Sequence, residues 1–154
     1  MPATATVREP RWFLGTTIRI HVSTGDGPDG LSVIESFAPE GDSPPLHVHE
    51  TEDEIFHVLS GELRLRVDDE ELCVREGETA LAPRNVPHTY RVESDDARWL
   101  VTTAGGDLER FMLELSRPAG GPGLPPQVPP SPEDVDQLVA VAARHRIVIV
   151  GPPL

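Results

Sequence analysis

Histidines and one glutamate concentrate in the middle of the chain, at a spacing that suits metal binding. His47 and His49 are two residues apart, so on a strand their rings project from the same face. Glu54 begins the next apolar run after a short acidic turn, and His88 begins a later one. Neutral imidazoles and a carboxylate on neighbouring strands are a suitable ligand set for a borderline divalent metal. A closed structural zinc site would instead favour cysteines.

The elements that must position these side chains are short apolar runs within residues 17–104. Turn signals rich in glycine, proline and aspartate separate them. Short runs at this spacing predict strands of an antiparallel sandwich or barrel. The predicted strands are TIRIHV, LSVIESF, EIFHVLS, ELRLRV, ELCVR, TALA, HTYRV and RWLVTT.

The pattern changes after residue 106. Apolar residues spaced by three and four predict a helix over 107–116, followed by a proline- and glycine-rich linker over 117–130. Ser131, Pro132 and Asp134 form a helix-start signature. That second helix runs to His145, with Val135, Leu138, Val139 and Ala142 on one face, and 147–150 is a candidate edge strand that packs on the β region. The sequence thus divides into an N-terminal arm (1–16), a β region (17–106) and a C-terminal part (107–154).

Composition excludes several classes of protein. The 154 residues include 26 acidic and 13 basic ones, for a net charge of −13, and every basic residue is arginine. Without lysine there is no Schiff base, pyridoxal enzyme or phosphate-loop lysine. An acidic surface repels a phosphate backbone, so we expect no nucleic-acid partner.

Cysteine usage and targeting signals predict a cytoplasmic protein. The single cysteine, Cys73, cannot form an internal disulfide. The N-terminal residues lack the succession of basic, apolar and small residues that is typical of a secretion signal. The longest apolar run, 138–143, is far shorter than the roughly 20 residues that span a bilayer, so no membrane association is expected.

Two motifs resemble those of the cupin superfamily. The first, G-x5-H-x-H-x4-E-x6-G, is matched at all five positions by Gly41, His47, His49, Glu54 and Gly61. The resemblance implies an all-β, double-stranded β-helix, a jelly-roll-like cupin barrel, with C-terminal helices.

The second motif, G-x5-P-x-G-x2-H-x3-N, is matched in part. Gly77, Pro83 and His88 agree with it, while Asn85 replaces the internal glycine and Val92 the final asparagine. Asparagine tolerates a left-handed turn, so this departure does not endanger the metal site. The motifs occupy 41–61 and 77–92 of a barrel formed by 17–106.

The resemblance also implies one bound divalent transition metal: zinc, iron, nickel, manganese or copper. The alternative is a vestigial site that binds no metal, in which the histidine side chains only form hydrogen bonds inside the barrel. Glu50, Glu52 and Asp53 are interpreted as solvated turn charges, although a slip in register would make Glu52 the ligand. The implied ligands are His47, His49, Glu54 and His88.

Strand alternation provides further candidates. If Glu54 faces the lumen, Phe56 and Val58 do too, while His57 faces outwards. If His88 faces inwards, so does Tyr90, which either binds or protonates a substrate oxygen or is a half-buried aromatic bonded to backbone.

Glu35 is a second catalytic candidate. It shares a face with Val33 and Phe37, and if buried it would be a general base; the alternative is a paired or exposed strand carboxylate. His21 is expected to face outwards. Cys73 has no base beside it in sequence, which argues against a nucleophile.

These features predict a bacterial, metal-dependent enzyme acting on a small oxygen-bearing metabolite of enol or phenol type. By resemblance the leading hypothesis is a dioxygenase-like reaction. The alternatives are a Lewis-acid cyclase or isomerase of a polyketide-like substrate, and a non-catalytic module that binds a small ligand. The outward strand faces and apolar tail further predict a homodimer.

Overall fold

The computed structural model describes residue 5 and residues 7–154, and within them the chain forms strands and two helices. The strands are β1 Arg11–Phe13, β2 Thr16–Val22, β3 Leu31–Pro39, β4 Leu46–His49, β5 Glu54–Ser60, β6 Glu62–Val67, β7 Glu70–Arg75, β8 Thr79–Ala82, β9 His88–Val92, β10 Asp96–Ala104, β11 Ser116–Pro118 and β12 Ile147–Gly151. The helices are α1 Asp107–Leu115 and α2 Pro132–Arg144.

Two antiparallel sheets face each other across an apolar core. One has seven strands in the order β11-β1-β2-β3-β10-β5-β8, and the other five in the order β12-β4-β9-β6-β7. Their inner faces bury Trp99, Phe56, Ile34, Leu63 and Leu65. The all-β jelly-roll fold predicted from the sequence is confirmed.

The predicted barrel is not closed. In the part of the chain that the structure describes, no ladder of backbone hydrogen bonds joins the two sheets. The chain passes between sheets at the turn from β7 to β8, so these strands are edges of different sheets rather than partners. The architecture is therefore an open sandwich.

All eight predicted strands are present, with bounds within two residues of the expected ones. The predicted strands do not include β4, although the spacing of His47 and His49 is interpreted as that of a strand. They also do not include β1, inside the N-terminal arm, or β11, inside the linker. β1 and β11 pair with each other, with Trp12 opposite Arg117. Each is three residues long, too short for alternation to be visible.

The helices begin where the sequence predicts. At α2, Ser131 and Asp134 form a capping box, with the Ser131 hydroxyl accepting from the Asp134 backbone N–H at 3.2 Å. On the predicted apolar face of α2, Val135 and Val139 are each 43% exposed. Only its C-terminal half, at Val141 and Ala142, is buried, because there the chain turns into β12.

The tail packs as expected. Residues 147–151 form β12, which pairs with β4 at the edge of the five-stranded sheet. No helix among the described residues is both long and apolar enough to cross a membrane.

Candidate metal centre

Three strands bring four potential ligands together between the sheets. His47 and His49 lie on β4, Glu54 begins β5 and His88 begins β9. One ligand atom from each of these side chains lies within 4.8 Å of those of the others. His49, Glu54 and His88 are buried and His47 is partly buried. The cluster has the composition expected from the sequence.

Local backbone structure fixes these positions. His47 and His88 are direct partners across the β4–β9 pair. The backbone N–H of Asn85 donates to the carbonyl of His49 at 2.8 Å, which ties the turn before β9 to the end of β4. Asn85 has a φ of 63°, the left-handed conformation expected of it.

Backbone carbonyls orient two of the imidazoles. His47 Nδ1 lies 2.7 Å from the carbonyl oxygen of Pro45, and His88 Nδ1 lies 3.1 Å from that of Val86. A carbonyl oxygen only accepts, so each Nδ1 carries the proton. In the neutral rings the Nε2 lone pairs are then free to bind a metal.

The contacts around Glu54 fit a cation. Its Oε2 lies 2.7 Å from His88 Nε2 and 3.1 Å from His49 Nε2. The imidazole of a neutral His88 has one N–H, at Nδ1, which donates to the carbonyl of Val86. The lone pair of His88 Nε2 would then face a lone pair of Glu54 Oε2, with no hydrogen between them. A divalent cation held by these atoms would satisfy both, and the residues present therefore fit a metal.

The protonation states favour the same interpretation. Burial and the neighbouring His88 lower the pKa of His47 to about 4, so this imidazole is neutral at pH 7. Burial acts to raise the pKa of Glu54, but protonated His49 and His88 would outweigh it through their charges and hydrogen bonds and hold that pKa well below its usual value; the same contact with Glu54 raises the pKa of His88 against the effect of burial, so in the absence of a metal the site favours a proton at Nε2. The cluster thus presents an ionised carboxylate and is compatible with one divalent metal ion.

Comparison with known families agrees with this geometry. Residues 33–103 match the model of the cupin domain family, a span that contains all four candidate ligands. The matched segment is a cupin domain. The likeness therefore covers most of β3, all of β4 to β9, nearly all of β10 and the metal cluster, but not β1, β2, β11, β12 or the C-terminal helices.

Proteins similar to this chain are named for different activities. The cupin is 28% identical over 117 residues to quercetin 2,3-dioxygenase of Bacillus subtilis; the match covers 75% of this chain and 35% of the relative. Among solved structures it resembles a predicted oxalate decarboxylase of Thermotoga maritima (20% identity, TM-score 0.58, 64% of this chain and 97% of that one). It also resembles a sugar phosphate isomerase of Silicibacter pomeroyi (20% identity, TM-score 0.55, 65% and 72%). The two structural likenesses show the fold alone.

Tyr90 lies between the sheets of the cupin, as expected from alternation. Its ring packs edge-on against Phe56 and Trp99, with centroids 6.2 and 5.0 Å away. Its hydroxyl donates to Asp42 Oδ2 at 3.0 Å rather than to backbone. Burial and the carboxylate of Asp42 raise the pKa of Tyr90 well above its usual value, so the hydroxyl keeps its proton at neutral pH.

Glu35 is not brought to the metal cluster. It lies on the outer face of the seven-stranded sheet, in a row with Leu100 and His57. Its carboxylate is paired with His21, at 2.7 Å, and with Arg98. The paired strand carboxylate considered from the sequence is the arrangement observed, and the buried general base is not.

Two other reactive side chains also lie away from the cluster. His57 faces outwards as expected, with Nδ1 2.8 Å from the hydroxyl of Thr79. Cys73 is exposed, and a hydrogen bond to Glu62 raises the pKa of its thiol, the opposite of an activated nucleophile.

The interpretation of Glu52 as a solvated turn charge is wrong. Its side chain is buried and accepts hydrogen bonds from the backbone at the start of α1. Glu52 therefore does not compete with Glu54 for the ligand position. The available signal was the Gly105-Gly106 pair before α1, a helix start without a capping side chain.

Proposed function

We propose that this cupin is a metal-dependent enzyme acting on a small metabolite with an enol- or phenol-like oxygen, in a dioxygenase-like reaction. The observation that carries the proposal is the convergence of three imidazoles and one carboxylate within 4.8 Å, buried between the sheets. Four protein ligands leave one or two positions of a five- or six-coordinate ion for substrate.

The similarity to quercetin 2,3-dioxygenase supports the direction of this proposal. The matched segment is about a third of that relative, so its activity extends to this chain only as a hypothesis. Flavonols carry the kind of acidic hydroxyl that a cationic centre prefers.

His47, His49, Glu54 and His88 would hold the ion, which when bound supplies a net charge of about +1 that stabilises an anionic substrate oxygen. Phe56 and Trp99 form apolar surfaces beside Tyr90 and keep water from that part of the interior. The Tyr90 hydroxyl remains protonated and already donates its one hydrogen to Asp42, so in the proposed reaction it accepts a hydrogen bond from the substrate.

Metal analysis combined with oxygen uptake tests this proposal. The natively purified chain should contain about one ion of iron, nickel, manganese or copper and consume oxygen when quercetin is added. Zinc without oxygen uptake would replace the dioxygenase with a Lewis-acid cyclase or isomerase. Absence of metal after gentle purification would contradict both and favour a module that only binds a small ligand.

We further propose that the protein is a homodimer. The outer face of the seven-stranded sheet exposes large aliphatic side chains, at Leu31, Ile55, Leu59 and Leu81. Apolar patches of this kind are typical of interfaces between subunits. Light scattering should give about twice the chain mass of 16.8 kDa, and a mass near 17 kDa would contradict the proposal.

A further inference from the structure

The loop between the two ligand strands is anchored on helix α1. Residues 50–53 connect His49, at the end of β4, to Glu54, at the start of β5. The hydroxyl of Thr51 donates to Asp107 Oδ2 at 2.6 Å. The next residue, Glu52, makes a second and more extensive connection to the same helical turn.

Glu52 takes the place of a capping side chain for α1. Its Oε1 accepts from the backbone N–H groups of Gly106 and Asp107, at 2.7 and 3.2 Å, and its Oε2 accepts from that of Leu108 at 2.7 Å. The N-cap of the helix is Gly106, which has no side chain to satisfy these donors. A carboxylate at the positive end of a helix is also favoured by the helix dipole.

The contact is deeply buried and closely fitted. Glu52 is 1% exposed. Gly105 has a φ of +134°, and a Cβ at that position would lie 3.4 Å from Cγ and Oε1 of Glu52. A side chain at residue 105 would therefore strain the backbone and crowd the carboxylate. The turn before α1 accommodates Glu52 because it is made of glycine.

The position of this anchor connects it to the metal centre. Glu52 lies three residues after His49 and two before Glu54, so it fixes the middle of the segment that carries both ligands. At the far end of the loop, Asp53 Oδ1 accepts from the backbone N–H of Arg84 at 2.9 Å. The loop is thus held from both sides, and its conformation determines where His49 and Glu54 meet.

We infer that Glu52 is a positioning residue of the metal centre that couples metal binding to the docking of α1. This inference rests on the proposed metal site. If α1 docking holds the ligands in place, the bound metal must in turn stabilise α1 docking, because coupling between two sites is reciprocal. Both directions of this coupling are measurable.

The chain offers a matched control in Glu109. This second buried carboxylate also anchors α1, but on the loop after β2, where Oε2 accepts from the backbone N–H of Thr24 at 3.0 Å. Neither Glu109 nor its partners belong to the loop formed by residues 50–53. Glu109→Gln perturbs the same helix on its other side and leaves the contact between Glu52 and the start of α1 in place, so the ligand-bearing segment keeps its anchor.

Cobalt titration of the chelator-stripped full-length chain tests the inference, with the visible absorption of bound Co²⁺ as readout. Glu52→Gln should lower Co²⁺ affinity about tenfold, the lower end of the loss caused by removing a ligand's own hydrogen-bond partner, because Glu52 acts on the ligands through the loop rather than by direct contact. Glu109→Gln should remain within about twofold of the unmodified chain. Equal affinities for the two variants would overturn the inference while leaving the metal centre intact.

Hydrogen–deuterium exchange measures the reciprocal effect. Co²⁺ should slow exchange of the amides at 108–111 in the unmodified chain and in Glu109→Gln, but not in Glu52→Gln. Unchanged slowing in Glu52→Gln would contradict the coupling. Failure of the unmodified chain to bind Co²⁺ would overturn the proposed metal centre, and the role of Glu52 with it.

A milder variant keeps the test decisive if Glu52→Gln does not fold. Thr51→Val removes only the hydroxyl that bonds Asp107 and preserves the shape of the side chain. Loss of this one hydrogen bond to a carboxylate, which acts on the ligands only through the loop, should lower Co²⁺ affinity about threefold. Affinity equal to that of the unmodified chain, with Glu52→Gln unfolded, would overturn the inference.

Discussion

Two clusters of histidine and glutamate lie on opposite sides of the seven-stranded sheet, one between the two sheets and one on the outer surface, and they have different surroundings. The inner cluster is the metal centre of His47, His49, Glu54 and His88, in which Glu54 belongs to the seven-stranded sheet. The outer cluster consists of His21, Glu35 and Arg98 on that sheet's outer face. Residue types alone do not separate the two.

Charge balance is what distinguishes them. The guanidinium of Arg98, which also lies 4.6 Å above the ring of Phe37, compensates Glu35 permanently. Glu54 has no arginine partner among the described residues, only imidazoles. A buried carboxylate needs a compensating cation, so the inner cluster must either bind a proton or bind a metal. The outer cluster needs neither.

Alanine substitution of single histidines should give the largest difference in metal affinity between the inner cluster and the outer face. His49→Ala should lower metal affinity at least about 100-fold, because it removes a ligand rather than a supporting hydrogen bond. His57→Ala, on the outer face of β5, should retain full metal content. Elemental analysis of both variants, with circular dichroism as the control for folding, measures the difference. Unchanged metal in His49→Ala would make the ligand assignment wrong.

Metal removal should affect stability through the inner cluster only. Metal at about 100 times its dissociation constant stabilises the folded state by about 2.7 kcal/mol, which raises Tm by roughly 5 to 10 °C. We expect this shift in the unmodified chain and in His21→Ala, and none in His49→Ala. Differential scanning calorimetry with and without a chelator gives the comparison. A lost shift in His21→Ala would mean that the two clusters are not independent.

Neutralising the outer carboxylate should have the smallest effect. Burial acts to raise the pKa of Glu35, but hydrogen bonds from His21 and Arg98 and their charges lower it below its usual value. Ionised Glu35 therefore contributes its full share to the free energy of unfolding above about pH 4.5. This contribution is lost as the pH falls through the lower pKa that Glu35 has in the folded state. Because the pair is partly exposed, Glu35→Gln should cost no more than about 1 kcal/mol at pH 7.

Urea unfolding between pH 5 and pH 3 checks the sign of that effect. The difference in free energy of unfolding between the unmodified chain and Glu35→Gln should shrink on acidification. A difference that stayed constant over this range would show that the charge of Glu35 does not contribute.

Sequence patterning predicted the features that depend on local periodicity. Alternation identified the strands that carry Glu54 and His88, and the capping box located the start of α2. It also placed His57 on the outer face, since neighbouring strand residues point in opposite directions.

Features that depend on distant partners could not be predicted. The pairing of β1 with β11 joins segments about 100 residues apart, and nothing in either sequence specifies the other. Nothing within the acidic turn itself indicates that Glu52 is buried, because its partners are backbone N–H groups of α1; the one signal is the distant Gly105-Gly106 pair, which does not specify the residue that caps the helix. Whether the two sheets close into a barrel likewise depends on the geometry of the whole fold.

The pairing of β12 with β4 has a consequence for synthesis of the protein. β4 carries His47 and His49, and its outer edge is covered by a strand that leaves the ribosome about 100 residues later. At roughly 5 to 20 residues per second, that edge stays open on the nascent chain for about 5 to 20 s. During this interval the ligand strand is exposed to aberrant pairing with other chains. Chaperone dependence should therefore be greatest just before the final strand emerges.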